Sequence, residues 1–384
     1  MMLPNGWKKV KLGDVADVFD GTHQTPVYVN QGVPFVSVEN IEDVWGTDKF
    51  ITQEAFDAYP EKPQKGDILM TRITAGVIGR TAIIDSNEPL AYYVSLALIR
   101  NSKGEFVSEF LSQFIEGCFF KSELNKRIIH TAFPKKINLN DIGKCEVILP
   151  PLEEQKKIAA TLSVWDSAIE KMEKLIDAKE DQKKSLIWKL IENTDAIRKE
   201  KIKIDDLFDE VCEKNHPDAD VLTIIQGIGT LLREKSGRDI VYDKKSLSNY
   251  KFVKKGDFII HLRSFEGGLE VANQDGIVSP AYIILRPKIE VSTDYLYALF
   301  HTNRFINYTI SPAVEGARDG RSVKYDALKK QFINLPTFSE QKYIAKIITT
   351  AENEHSLLKQ QLENYKKQKQ GLMQKFLTGQ WRVK

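Results

Sequence analysis

The segment LPPLEEQKKIAATL, which begins at Leu149, returns as LPTFSEQKYIAKII at Leu335, 186 residues later and without a gap. A duplication of this size specifies two domains and two connecting elements, because solenoid repeats have periods of only about 20–50 residues. Each copy is followed by a long, charged, heptad-like stretch and preceded by a turn-rich segment that mixes helical and strand-like pieces. The chain is therefore expected to present two similar heads in a fixed relation. Its 384 residues are too many for one ordinary core.

The stretch after each copy has a seam. Ile158, Leu162, Trp165, Ile169, Met172, Ile176, Lys179, Lys183, Leu186 and Leu190 follow alternating steps of four and three. The second copy runs Ile344, Ile348, Ala351, His355, Leu358, Leu362, Tyr365, Lys369, Leu372, Phe376. Eight of ten positions in each are apolar or aromatic, with charge elsewhere, which predicts a coiled coil and not merely an amphipathic helix. Glu153, Glu154 and Glu340 in the first turns complement the helix dipoles, Ser339 reads as an N-cap, and Gly379 as a stop. A helix of about 37 residues is roughly 55 Å long at ~1.5 Å per residue. Parallel pairing would force the intervening head to span that length. Antiparallel pairing places the exit of one helix beside the start of the other and sends the heads to opposite ends. In that register Lys369 falls near Trp165, Lys183 near Ala351, and His355 faces Lys179 as a neutral, partly buried imidazole.

The heads share landmarks: KVKLGDV at Lys9 with KIKIDDL at Lys201, KGDILM at Lys65 with KGDFII at Lys255, and VSLALIR at Val94 with VSPAYIILR at Val278. Short β-rich runs such as DILM, TAIID and FVSVENI alternate with turn residues. Helical patterns follow from Ser108 and Thr293. The expected architecture is α+β: two similar heads separated by two long antiparallel coiled-coil helices, with pseudo-twofold symmetry. The expected boundaries are 1–152, 153–194, 195–338 and 339–384.

Net charge is only +2, so its distribution matters more than its sum. Six Lys/Arg lie between Lys121 and Lys144 against Glu123 and Asp141, and five between Gly316 and Lys330 against Asp319 and Asp326. Basic stretches at matching places in diverged copies suit a polyanionic partner better than a merely solvated face. The loops Asp20–Pro26, Thr71–Arg80, His130–Asn138, Leu262–Gly268 and Gly316–Lys324 mix Gly with basic and hydroxyl side chains. Arg and Lys can reach guanine acceptors, while Ser, Thr and backbone N–H groups hold phosphates. Lys135, Lys136, Lys324 and Lys329 read as phosphate anchors. Arg72, Thr74, Arg80, His130, Arg263, Ser264, Arg318, Arg321 and Ser322 read as base or groove contacts.

Much chemistry has no carrier here. No Walker A loop, dinucleotide GxGxxG or methyltransferase Asn/Asp-Pro-Pro-Tyr/Phe motif occurs. GVIG at Gly76 reads as a turn. Asp218, Asp243 and Lys245 formally fit a nuclease pattern, but head one has no equivalent; a magnesium-dependent nuclease and a scaffold that binds only protein are the two rival readings. Cys118, Cys145 and Cys212 are widely spaced and expected as small buried hydrophobes, with no disulfide framework and no metal site. No signal core or membrane-length apolar run occurs, and a reducing cytoplasm is the expected setting.

The duplicated LP…EQ boundary with its long helix, the KGD strand start and GIVSPAYIIL (Gly276 to Leu285) resemble the DNA-specificity subunit of type I restriction–modification systems, over essentially the whole chain. The resemblance implies a non-catalytic protein without a cofactor of its own. Each head would be a target-recognition domain reading half of a split, asymmetric site in double-stranded DNA, and the helices would fix the gap. Two modification subunits, binding S-adenosylmethionine, would methylate adenine; restriction subunits would add ATP- and magnesium-dependent translocation and cleavage.

Overall fold

The computed structural model describes residues 3–193, 200–237, 244–316 and 321–383. It divides into two compact units, Met1–Glu173 with Gln360–Lys384, and Lys174–Lys359. These units cut across the expected spacer segments. Each long helix contributes its turns nearest a head to that head's core, and the remainder to the other unit.

In the first unit, Lys8–Lys11 pairs antiparallel with Glu146–Leu149 and so joins the start of the head to its end. A four-stranded antiparallel sheet follows in the order Asp17–Asp20, Leu96–Arg100, Ile68–Thr71, Thr81–Ile83. A smaller mixed sheet holds Phe50–Ile51, Val33–Val36 and Ala91–Tyr92, and helices Ser108–Glu116 and Cys118–Asn125 cover the main core. FVSVENI, read as a β-rich run, is strand only as far as Val36, because Ser37 caps a 3-10 turn at Val38–Asn40.

The second unit repeats the plan. Glu200–Lys203 pairs with Phe332–Leu335, and the sheet order is Phe208–Val211, Ile283–Pro287, Phe258–Ile260, Glu270–Val271. Helix Thr293–Phe300 occupies the place of Ser108–Glu116.

Two repeated contacts explain the landmarks. Gly66 and Gly256 both adopt φ +91°, a left-handed turn that Gly accommodates without Cβ strain. The following Asp67 and Asp257 accept the N–H of Gln64 and Lys254 and pair with Arg100 (2.8 Å) and Arg286 (2.6 Å). Gln155, fully buried, donates to the Pro150 carbonyl at 2.9 Å and accepts from Val107 N–H at 2.8 Å. Gln341 does the same with Pro336 (2.9 Å) and Ser292 (3.0 Å). The repeated Gln therefore fastens each long helix to its head.

The long helices are Leu152–Ile187 and Phe338–Leu377. Among their seam positions, Ile158, Leu162, Ile176, Ile344, Ile348 and His355 are buried and the others half-buried, while most intervening positions are exposed. In the first unit Glu154 meets Arg382, Asp166 meets Lys369 and Glu173 meets Lys366, while Trp165 packs edge-on against Tyr365 at 5.9 Å. Partner numbers fall as residue numbers rise, so the pairing is antiparallel. In the second unit Lys179 pairs with Glu354 at 2.8 Å, and His355 lies 3.4 Å from Glu180. Lys183 pairs with Glu180, and its charge also acts on Glu352. Lys369 sits beside Trp165 as expected. The second helix begins two residues earlier than a cap at Ser339 would place it, and its cap is Thr337. Thr337 and Glu340 exchange hydrogen bonds in a capping box, and Ser339 is already helical. Gly379, at φ +74°, lies just beyond the helix end.

Cys145 is buried as expected, and burial pushes its thiol up to about 11. Cys118 and Cys212 are exposed instead, at a helix start and beyond a strand end. Among the described residues no helix is long and apolar enough to cross a membrane, and no cluster of metal-ligating side chains occurs.

Candidate nucleic-acid interface

Three loops of head one converge on Arg72. Its side chain is buried; one guanidinium nitrogen lies 2.7 Å from Asp20 and another donates to the Ile137 carbonyl at 3.2 Å, while Nε has no protein partner. Asp20 also meets His23 at 2.8 Å. Arg72 therefore ties together the segments around Asp20, Thr71–Arg80 and His130–Asn138. The expectation of a base contact from Arg72 is corrected: its guanidinium is committed inside the protein, where a buried cation requires a partner.

The tie holds a hairpin. Lys135 and Lys136 form a short strand opposite Thr74 and Ile73, and Ile129 bridges Lys136 on the other side. Both lysines are exposed and have no carboxylate partner among the described residues. The rest of the basic run is satisfied internally: Lys126 and Arg127 pair with buried Glu123, and Lys144 pairs with Asp141. The unpaired charge of this run is therefore concentrated at Lys135, Lys136 and the half-buried Lys121. Thr74 accepts the N–H of Gly76 through Oγ1 at 3.0 Å, and His130 donates from Nε2 to the Asn125 carbonyl at 3.2 Å. His130 and Lys135 line one groove with Val77, Lys121 and Asn125. Arg80 is exposed but forks between Glu42 and, at 3.7 Å, Glu116. GVIG forms the expected turn, with Gly79 N–H donating to the Thr71 carbonyl.

In head two, Arg321 stacks over Phe265 with 4.6 Å between guanidinium carbon and ring centre, joining two of the singled-out loops. Arg263 is exposed and paired with Glu266 at 2.6 Å. Ser264 is a second correction: fully buried, it accepts the N–H of His261 at 2.8 Å and shapes the turn from within. Ser322 lies in a two-stranded pair with Val314–Glu315, Lys324 is exposed, and Lys329 meets Asp326 at 2.5 Å. Arg318 and Asp243 lie outside the described residues. Asp218 lies in an exposed turn.

Sequence reasoning missed Glu270, which is fully buried and accepts from Gly227 N–H (2.7 Å) and His301 Nε2 (3.1 Å). Burial opposes charge on His301, but the Glu270 hydrogen bond and charge raise its pKa overall. Burial lowers that of neighbouring His261. At the matching place in head one, Glu116 on the helix accepts from Thr81 on the strand, so the acid has changed sides.

Paired heads of one topology, each displaying basic loops, define a two-domain nucleic-acid reader. The profile of the type I restriction modification DNA specificity domain matches residues 4–180 and again 194–365, and the chain belongs to that family. It is similar to the MjaVIII type I restriction enzyme specificity subunit of Methanocaldococcus jannaschii, 28% identical over 48% of this chain and 45% of the relative. The proposed MjaX specificity subunit of the same organism is 25% identical over 100% of this chain and 95% of the relative. The fold is also that of the HsdS subunit from Thermoanaerobacter tengcongensis, with TM-score 0.55, 17% identity and 99% of both chains covered. The family supplies specificity and not catalysis to restriction–modification systems.

Proposed function

We propose that this chain reads a bipartite, asymmetric site in double-stranded DNA, one half-site per head, and directs partner subunits to it. The observation that carries the reading is the repetition of one head plan with different loops. Each head is fastened to a long helix by the same buried glutamine, and each presents basic side chains. Lys135, Lys136, Lys324 and Lys329 anchor phosphates. Thr74, Arg80, His130, Arg263, Arg321 and Ser322, together with Arg318, reach the grooves. Arg80, Arg263 and Lys329 must exchange a carboxylate for DNA, at small cost because exposed ion pairs are weak and screened by solvent.

The partners in this reading are two modification subunits that bind S-adenosylmethionine and flip the target adenine, with ATP- and magnesium-dependent restriction subunits joining them in the cytoplasm. The helices set the gap, as half-site spacing follows protein geometry in dimeric readers. The decisive experiment is methylome mapping of cells that carry this chain with its modification partner. Two dissimilar half-sites at one fixed gap are expected. A single contiguous motif would overturn the bipartite reading, and no methylation dependent on this chain would overturn the reading entirely.

A further inference from the structure

We propose that Phe133 is an apolar wedge that inserts at a base-pair step of the half-site read by head one. The proposal rests on the DNA reading above and adds a deformation of the duplex to it.

Phe133 is 91% exposed, the most exposed large hydrophobic side chain among the described residues. It stands in the tip of the hairpin whose base is closed by the Ile129–Lys136 bridge and the strand pairing to Ile73–Thr74. Buried Arg72 grips the next residue of that base, Ile137, through its carbonyl, and Ile137 is itself buried. An aromatic ring in water at a tip whose base is held this firmly gains nothing for folding. Its burial has to come from a partner.

The surroundings say what chemistry that partner has. From Leu124 to Asn140 the sequence contains no Asp or Glu, and it carries Lys126, Arg127, Lys135 and Lys136. Lys126 and Arg127 are spent on Glu123, which leaves Lys135 and Lys136 to face outward within three residues of Phe133. An apolar protein surface would leave those two ammonium groups desolvated and unpaired. A duplex meets both demands: phosphates take the lysines, and a stacked base step takes the ring. Architectural DNA-binding proteins use Phe, Leu, Ile, Met or Pro in this way, unstacking a step and kinking the duplex. Flexible pyrimidine–purine steps yield most easily, so the wedge would also select sequence without a hydrogen bond.

The test uses the full chain assembled with its modification subunits, on duplexes carrying 2-aminopurine at successive positions of the mapped site. Wild-type complex is expected to brighten 2-aminopurine at one step of a single half-site, apart from the target adenines that the modification subunits flip. Phe133→Ala should abolish that signal and weaken site binding roughly 5- to 150-fold, the range for loss of one base–aromatic stack. Phe133→Leu should retain part of both, and the melting temperature should be unchanged by either substitution. The wedge is overturned if wild type binds the site with no step brightened beyond the flipped adenines, or if Phe133→Ala leaves the wedge signal and affinity intact. It is also overturned if Phe133→Ala releases the modification subunits while the fluorescence persists, which would make the ring a protein contact. If wild type shows no preference for any site, the DNA reading itself fails, and the wedge with it.

Discussion

A guanidinium nitrogen of Arg72 lies 2.7 Å from a carboxylate oxygen of Asp20, at the junction of three loops of head one. Arg72→Ala is therefore expected to act through the position of the hairpin and not through a lost DNA contact. Breaking a hydrogen bond to a charged group costs about 1.5–3 kcal/mol, and partial exposure of Asp20 puts the loss toward the lower end. Denaturant unfolding would show it, with weaker binding at one half-site but an unchanged salt slope. A slope smaller by about one with unaltered stability would instead make Arg72 a phosphate contact.

This residue also shows where sequence reasoning stops. The repeat made the two heads, their matched landmarks and the helix seam legible, because period and residue type carry that information directly. Arg72 stood in a loop with the right chemistry, and only the fold shows that the guanidinium turns inward to Asp20, 52 residues away. Ser264 failed for the same reason. Gln155 and Asp67 were within reach, since both recur in the second copy as Gln341 and Asp257. Buried Glu270 was not, because its partner His301 is distant in sequence and the equivalent link in head one runs from Glu116 to Thr81.

Gln155→Ala and Gln341→Ala should each loosen a long helix from its own head. Each leaves a backbone N–H and a proline carbonyl without their partner, a penalty of about 1–3 kcal/mol per unsatisfied buried group. Limited proteolysis and urea unfolding of the two variants should report losses in different units. Equal wild-type behaviour in both would show that the helices are held by apolar packing alone.

The Glu270–His301 pair predicts a pH dependence in head two. The folded pKa of His301 is raised above the ordinary 6.5, so its contribution to stability is fully present below about pH 6.5. It is lost as pH rises through the raised folded value. His261, with a lowered pKa, opposes this: its contribution is present above its ordinary value and lost as pH falls. The stability difference between wild type and His301→Gln should shrink as pH rises from 6 to 8. In Glu270→Gln the His301 resonance should titrate at a lower pH than in wild type, because burial then dominates. A titration midpoint that does not move would rule out Glu270 as the cause.

Lys135→Ala and Lys136→Ala should weaken binding to specific and unrelated duplexes alike, and each should lower the salt slope by about one. Lys329→Ala should do less, since Asp326 already takes up part of that charge. A loss confined to one base sequence would move either hairpin lysine from anchor to reader.

The helix pair makes the most demanding prediction. Removing Glu173–Lys179 together with Ser356–Leu362 deletes one heptad from each helix and keeps the four-three alternation, so that Lys183 takes the place of Ile176 and Tyr365 that of Leu358. Seven residues at ~1.5 Å each shorten a helix by about 10 Å. At ~3.4 Å per base pair, that distance is roughly three base pairs. Methylation by the shortened chain should then appear at the same two half-sites with a gap reduced by about that number. Retention of the original gap by a folded, active variant would mean that the helices do not set the spacing. Loss of all methylation with intact binding to each isolated half-site would still be consistent with a ruler, since the modification subunits must also span the two halves, and a compensating insertion of one heptad in each helix should then restore activity at the original gap.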